Sequence, residues 1–201
     1  MTCRLHIGSG TIYVRDYINV DVVSPRTYLS SERPDLVERY TVDVDDYYGR
    51  HRDHSRLDDF RDGPREDPYV ADRFGDWGHI PCRDGEALEV LSRQVVEHLA
   101  PAEMHAAMRE ARRVLADGGL LRLSVPDFDA SLHAYHETGD AALLRHLLGP
   151  RNSERGYHLV GYTKPALRAI VEAHGFRFVD DEVSPHAYPA LCCIWRRSFA
   201  S

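Results

Sequence analysis

The sequence predicts an α/β protein with a mainly parallel, doubly wound sheet, helices on both faces of the sheet and an irregular charged insertion. Short apolar runs alternate with amphipathic helical patterns through most of the 201 residues, which is typical of a parallel sheet covered by helices. The first run ends in Gly8-Ser9-Gly10, and the second carries Asp21 near its end. Residues 24–68 interrupt the alternation, because they are rich in proline, aspartate and arginine.

Two short strands are predicted at residues 4–7 and 17–23, because both runs are apolar, rich in β-branched residues and bounded by turn residues. Only ten residues separate Gly10 from Asp21. We therefore expect the helix that usually follows such a glycine turn to be reduced to a loop.

The insertion is predicted to be irregular or to form a lid, with one short helix near Leu36. Its carboxylates could hold a metal together with His51 or His54. A solvated run of charges is the favoured interpretation.

The remainder of the chain is regular. An edge strand is predicted at 69–77, further strands at 87–91, 120–125, 176–179 and 191–195, and a loop at 149–163. Helices are predicted from Pro101 to an end at Gly118-Gly119, over 129–148 with a break near Gly139, and from a cap at Thr163 to Gly175.

Composition indicates one domain over residues 1–201, because 43% hydrophobic and 28% charged residues are typical of a globular chain. No run is long enough for a membrane span, so we expect a cytoplasmic protein without a membrane partner. The net charge of −7 disfavours a nucleic-acid partner. Four scattered cysteines indicate reduced thiols.

The ends of five predicted strands carry residues suited to a ligand. They are Gly8-Ser9-Gly10, Asp21, Asp76-Trp77, Ser92-Arg93 and Pro126-Asp127. In a parallel sheet such ends meet in one crevice, where a glycine turn and an acid suit a nucleotide-type cofactor. A nicotinamide cofactor is disfavoured, because Tyr13 stands where the dinucleotide fingerprint has its third glycine.

The chain resembles the class I S-adenosylmethionine-dependent methyltransferases, which have a Rossmann-like fold, and especially a small bacterial branch of them. The matching segments are residues 5–10, Tyr17 to Asp21, Asp76 to Pro81, residues 95–99, residues 112–125, and Gly161-Tyr162-Thr163 through Gly175-Phe176. They follow the order of the family over nearly the whole chain. Glu97-His98-Leu99 followed by the Arg-Val-Leu-x-x-Gly-Gly segment is the most specific of them.

The resemblance implies a cofactor site for S-adenosylmethionine, with S-adenosylhomocysteine as product. Gly8 and Gly10, with Ser9 between them, would pass under the methionine part, and Asp21 would hold the ribose. Asp43 or Asp45 is an alternative for the ribose.

The same resemblance implies that Asp76 accepts a hydrogen bond from the adenine amino group, with Asp72 as the alternative. Trp77 would offer the adenine ring a backbone N–H and an aromatic face. Ser92 and Arg93 would flank the methionyl end. The residue types agree, since carboxylates accept from amines and indole stacks on purines.

The acceptor side is predicted at Asp127, Tyr157, His158 and Tyr162. His158 could act as a general base, because an imidazole titrates near neutral pH. A surface role for His158 and a helix-capping role for Asp127 remain open, and His98 is interpreted as a packing residue. Asp129, His133 and His136 share a helical face but lack a fourth ligand, so no metal site is predicted.

We therefore predict an enzyme that transfers a methyl group from S-adenosylmethionine to a small-molecule or glycan-like acceptor. One alternative is an enzyme that uses the cofactor for a cyclisation, since fold does not determine chemistry. An inactive, cofactor-binding partner subunit is another. The oligomeric state stays open, with a homodimer among the options.

Overall fold

The computed structural model describes residues 2–47, 67–149, 156–184 and 186–199. Its strands are β1 Cys3–Ile7, β2 Tyr13–Val14, β3 Ile18–Asp21, β4 Thr27–Leu29, β5 Thr41–Val42, β6 Tyr69–Ala71, β7 Arg73–Phe74, β8 Ala87–Arg93, β9 Leu115–Pro126, β10 Phe176–Asp181 and β11 Ala190–Arg197. Its helices are α1 Pro34–Tyr40, α2 Pro101–Val114, α3 Phe128–Thr138, α4 Ala141–Leu148 and α5 Lys164–Glu172.

Seven strands form the main sheet in the order β10-β11-β9-β8-β1-β3-β7. All neighbouring pairs are parallel except those of β11, which runs antiparallel to β9 and β10. The chain moves from β1 to β3 on one side and to β8 on the other, so the strand order reverses beside β1. The predicted α/β class and mainly parallel sheet are confirmed, and the reversal places the ligand crevice at the carboxyl end of β1.

The loop predicted in place of the first helix is confirmed. Between β1 and β3 the chain forms only the two-residue strand β2 and turns. The short helix predicted near Leu36 is also confirmed as α1, with Leu36 buried.

The predicted end of α2 at Gly118-Gly119 is wrong. The helix ends at Val114, and Leu115 is already extended while its N–H still donates to Ala111. The two glycines instead lie at the start of β9, where residues 115–120 face only 87–89 of β8 and the register is irregular. Gly118 has a φ of +76°, so glycine serves a bulge here and not a helix cap.

The helices α2 and α5 cover one face of the main sheet. Their buried side chains pack against apolar side chains of the strands in one cluster, which includes Met104, Met108, Leu167, Val171, Val90, Leu121 and Trp195. Burial of the apolar surface of these side chains is the main favourable contribution to folding.

The opposite face is packed by the segment that carries α1. Val14, Tyr17, Val42 and Tyr47 form a cluster with Leu91 of β8. Two small parallel ladders, β2 with β5 and β4 with β6, anchor this segment. His51 and His54 of the insertion lie outside the described residues, as do residues 150–155 of the predicted acceptor-side loop. Within the described ranges, no helix has the length and apolar character needed to cross a membrane.

Candidate active site

The glycine turn closes onto the end of β3. The backbone N–H groups of Gly8 and Ser9 donate to the carbonyl of Val20 at 2.9 and 3.2 Å. Gly8 and Gly10 have φ angles of +79° and +54°, which favour glycine. A Cβ at Gly8 would lie 2.5 Å from Cγ2 of Val95, whereas a Cβ at Gly10 would meet nothing within 4 Å. Gly8 is therefore required by packing, and Gly10 faces open space.

Asp21 lies beside this open space and is 8% exposed. Its Oδ2 accepts from the N–H of Gly10 at 2.5 Å and from the Ser9 hydroxyl at 3.4 Å, and its Oδ1 accepts from the N–H of Val22 at 2.7 Å. These bonds fix the orientation of the carboxylate beside the glycine turn. Among the alternatives for the ribose, Asp43 is exposed and pairs with Arg15 at 2.9 Å.

The two rivals for the adenine contact have different surroundings. Asp72 accepts from the hydroxyls of Tyr13 and Ser30 at 2.6 and 2.7 Å and from the N–H of Asn19 at 2.8 Å. These bonds tie the turn after β6 to β3. Asp76 is exposed, and among the described residues only its Oδ1 accepts hydrogen bonds, from the N–H groups of residues 78 and 79 at 2.8 and 3.0 Å. Asp76 is thus the one with an oxygen available to a ligand.

The backbone brings Asp76 close to Asp21. The N–H of Gly75 donates to the carbonyl of Asp21 at 3.0 Å. Trp77 follows, but its ring is 3% exposed and packs in the main core. Its indole Nε1 has no partner among the described residues, and the ring has no open face for stacking.

Ser92 and Arg93 end β8 and point to opposite faces of the sheet. The Ser92 hydroxyl donates to the carbonyl of Ile7 at 2.9 Å, directly before the glycine turn. The Arg93 guanidinium lies 5.0 Å from the ring centre of Tyr47 and 3.5 Å from a carboxylate oxygen of Glu182. The side chain of Arg93 therefore has structural partners on the face that Tyr47 covers.

That face carries a buried polar network. Glu89 accepts from the Tyr17 hydroxyl at 2.5 Å and from Arg122 at 2.9 Å, and Arg122 also pairs with Glu182. The two acids are 11% and 18% exposed at their side chains, and Arg122 is 15% exposed. Buried charges need such partners to offset their lost hydration.

On the acceptor side, Asp127 is the N-cap of α3. Its Oδ1 accepts from the N–H of Ala130 at 3.0 Å, which confirms the capping alternative. Asp127 and Tyr162 come together in a short parallel bridge, and the N–H of Phe128 donates to the carbonyl of Tyr162 at 3.1 Å. Tyr162 is 2% exposed, and burial together with the nearby Glu97 raises the pKa of its phenol to about 12.

His158 lies against a carboxyl group that the sequence did not single out as a site residue. Its Nε2 is 4.0 Å from Oε1 of Glu97, and the ring of His98 meets the His158 ring edge-on at 4.6 Å between centres. Burial lowers the pKa of His158 to about 4, and the neighbouring His98 acts in the same direction. Burial raises the pKa of Glu97 to about 8.

Glu97 comes from the 3₁₀ turn Val96–His98 that follows β8. It is fully buried, and both carboxylate oxygens lack a hydrogen-bond partner among the described residues. The Glu-His pair at 97–98 stands in a matching segment of the sequence. The contact of Glu97 with His158, which lies some sixty positions later in the sequence, forms only in the folded chain.

A stack of rings continues this cluster. His146 lies 4.8 Å from the ring of His186 and 5.2 Å from that of Tyr188. Burial lowers the pKa of His146 to about 3, with contributions from His186 and His158. By contrast, His133 is exposed and pairs with Glu137 on its own helix.

Comparison with known proteins agrees with this geometry. Residues 44–123 match the family model described as a methyltransferase domain, which here begins after the glycine turn. A search of curated proteins found no match.

Three solved structures illustrate the similarity in fold. An S-adenosylmethionine-dependent methyltransferase from Thermotoga maritima has 12% identity and a TM-score of 0.51, with 99% of this chain and 83% of that chain covered. One from Methanosarcina mazei has 14% identity and a TM-score of 0.54, covering 98% and 92%. The 1,6-didemethyltoxoflavin-N1-methyltransferase of Burkholderia thailandensis, with bound 1,6-didemethyltoxoflavin and S-adenosylhomocysteine, has 13% identity and a TM-score of 0.54, covering 98% and 71%.

The solved structures show the fold of the chain, and the family model matches its middle segment. Over residues 44–123 the sequence is similar to methyltransferase domains, and over nearly its whole length the chain shares the fold of these methyltransferases.

Proposed function

We propose that this protein transfers the methyl group of S-adenosylmethionine to a small-molecule or glycan-like acceptor at the carboxyl end of the sheet. The observation that carries the proposal is the open space at Gly10 beside the carboxylate of Asp21. It lies at the reversal of strand order, where parallel sheets bind ligands. We further propose that residues 1–201 form one cytoplasmic domain.

The residues around Gly10 fit the cofactor. A backbone without a Cβ allows close approach, and the Gly10 N–H holds the Asp21 carboxylate, the kind of group that accepts from ribose hydroxyls, beside that backbone. When bound, the cofactor supplies an activated methyl group on a sulfonium. Gly8 and Ser9 shape this turn, and Ser92 joins it to β8 through the carbonyl of Ile7.

Asp76 is proposed for the adenine amino group, because it is exposed while Asp72 is surrounded by donors of the protein. Trp77 is proposed to contribute its backbone, since its ring is buried in the core. Arg93 is proposed to act indirectly, by fixing the end of β8 through Glu182.

His158 is proposed as the proton acceptor for an acceptor group that must lose a proton. Burial lowers its pKa, so the imidazole is neutral with a lone pair available at neutral pH, and it is a weaker base than a free imidazole. Asp127 and Tyr162 are proposed to shape the acceptor side, because their backbones join the end of β9 to the residues after α4.

An activity screen tests the proposal. The protein is incubated with S-adenosylmethionine and a panel of phenols, amines, heterocycles and glycosides, and S-adenosylhomocysteine is measured. We expect acceptor-dependent product, and a His158→Gln variant with a kcat about 10²-fold to 10⁴-fold lower. His105→Asn, at an exposed histidine whose Nδ1 lies 2.9 Å from Nε2 of His174, is the control and should keep full activity.

Two results would contradict the proposal. Consumption of the cofactor without S-adenosylhomocysteine would indicate a cyclisation. Binding of the cofactor without turnover on any acceptor would favour the partner-subunit alternative.

A further inference from the structure

The cluster of Glu97, His98 and His158 has the composition of a metal site. One ligand atom from each residue lies within 4.8 Å of the other two. A carboxylate oxygen and two imidazole nitrogens are the donor set that divalent first-row transition ions prefer. In the part of the chain that the structure describes, this is the one group of three or more histidine, cysteine or acidic side chains with a spacing that could hold an ion.

Glu97 supplies a second, independent observation. Its side chain is 1% exposed, and neither carboxylate oxygen has a hydrogen-bond partner among the described residues. A buried polar group without a partner costs free energy and needs an explanation. His158 adds an unpaired ring nitrogen, Nδ1, to the same buried region.

The orientation of His98 is also typical of a metal ligand. Its Nδ1 lies 2.9 Å from the carbonyl of Tyr157. Since a carbonyl only accepts, Nδ1 carries the proton and the lone pair is on Nε2. Ligating histidines usually donate their second ring N–H to a carbonyl or carboxylate in this way, which fixes the ring and its tautomer.

We infer that Glu97, His98 and His158 form a binding site for one divalent transition ion, of the zinc or ferrous class. Ligand atoms around a tetrahedral zinc ion are about 3.3 Å apart. Oε1 of Glu97 and Nε2 of His158 are 4.0 Å apart, so small side-chain rotations bring them into range. Three protein ligands leave at least one position for water or another donor, as in catalytic zinc sites.

The site lies where the acceptor is proposed to bind, so one consequence rests on the proposed function. An ion would use the lone pair with which His158 otherwise accepts a proton. An acceptor oxygen or nitrogen in the open position would then lose its proton more readily, because a metal ion lowers the pKa of a bound group. The ion would replace His158 as the means of activating the acceptor.

Cobalt binding tests the site without any measurement of turnover. The whole protein is treated with a chelator, dialysed and titrated with Co²⁺, and the visible d–d bands are recorded. We expect one equivalent to bind, and Zn²⁺ to displace it. Glu97→Gln keeps the size of the side chain but weakens binding at least about tenfold. His105→Asn, in the exposed His105–His174 pair, leaves the affinity unchanged.

Thermal unfolding and binding of S-adenosylhomocysteine, both measured on the chelator-treated protein, show that Glu97→Gln is folded without any contribution from the ion. The inference is overturned if the folded, intact protein gives no d–d bands with stoichiometric Co²⁺. It is also overturned if Glu97→Gln binds Co²⁺ as tightly as the intact protein. Loss of S-adenosylhomocysteine binding by the intact protein would instead contradict the proposed function.

Discussion

Gly8 and Gly10 have similar backbone angles but different surroundings, so replacing each by alanine should have different effects. A left-handed conformation costs a residue with a Cβ about 1–2 kcal/mol at either position. At Gly8 the new methyl group would also lie 2.5 Å from Cγ2 of Val95, and overpacking of this kind costs about 1–3 kcal/mol more. We expect the free energy of unfolding to fall by about 2–5 kcal/mol in Gly8→Ala and by about 1–2 kcal/mol in Gly10→Ala.

Urea unfolding measures both variants, and thermal unfolding provides a check, because 1 kcal/mol shifts Tm by about 2–4 °C in a chain of this size. The three atoms nearest to a Cβ at Gly8 all belong to Val95, and the Cβ of Val95 is the farthest of the three at 3.4 Å. A Gly8→Ala/Val95→Ala double variant should therefore recover the overpacking part. Strictly additive losses in this cycle, or equal losses in the two glycine variants, would refute the packing argument.

Three further predictions concern the surroundings of the site. Burial lowers the pKa of His6 to about 4, below its unfolded value of about 6.5, so the unfolded chain binds more protons between these values and stability falls on acidification. Between about pH 7.5 and pH 5, the free energy of unfolding of His6→Gln should fall by about 2 kcal/mol less than that of the intact protein, as measured by urea unfolding. An equal fall in the two proteins would contradict this. Glu89→Gln should lower the free energy of unfolding by about 2 kcal/mol, and Arg122→Met by about 3–5 kcal/mol because it removes the cation that two buried acids share; equal stability of both with the intact protein would argue against the network. Asp76→Asn should weaken binding of S-adenosylhomocysteine about tenfold at unchanged stability, whereas Asp72→Asn should lower stability by about 1–3 kcal/mol because its NH₂ group would face donors; the reverse pattern in calorimetry and unfolding would assign the adenine contact to Asp72.

Much of the fold follows from local sequence signals. The apolar runs of β1 and β3, the proline at the end of β9 and the break at Gly139 each determine structure within a few residues. The prediction of a helix end at Gly118-Gly119 is wrong, because two consecutive glycines are equally compatible with a helix cap and with a β-bulge. Only the pairing of β9 with β8 distinguishes them.

Some residues of the site could likewise be predicted from nearby sequence, whereas others are brought together only by the fold. The turn at Gly8 to Gly10 and Asp21 lies within fourteen positions of sequence, so its meeting could be predicted. The role of Arg93 could not, because its partner Glu182 comes from the far end of the chain. Glu97 was visible only as part of a motif, since its burial and its contact with His158 arise from packing.

The capacity of the glycine turn to hold the cofactor is tested most directly by calorimetric titration with S-adenosylmethionine and S-adenosylhomocysteine. Asp21→Asn is the matched variant, because an amide can keep the bond from the Gly10 N–H while losing the charge. We expect micromolar binding to the intact protein and a loss of at least about tenfold in the folded variant, titrated below its Tm, which falls because the amide NH₂ would face the N–H of Val22. No binding of either ligand to the folded, intact protein, or equal binding to the variant, would contradict the account.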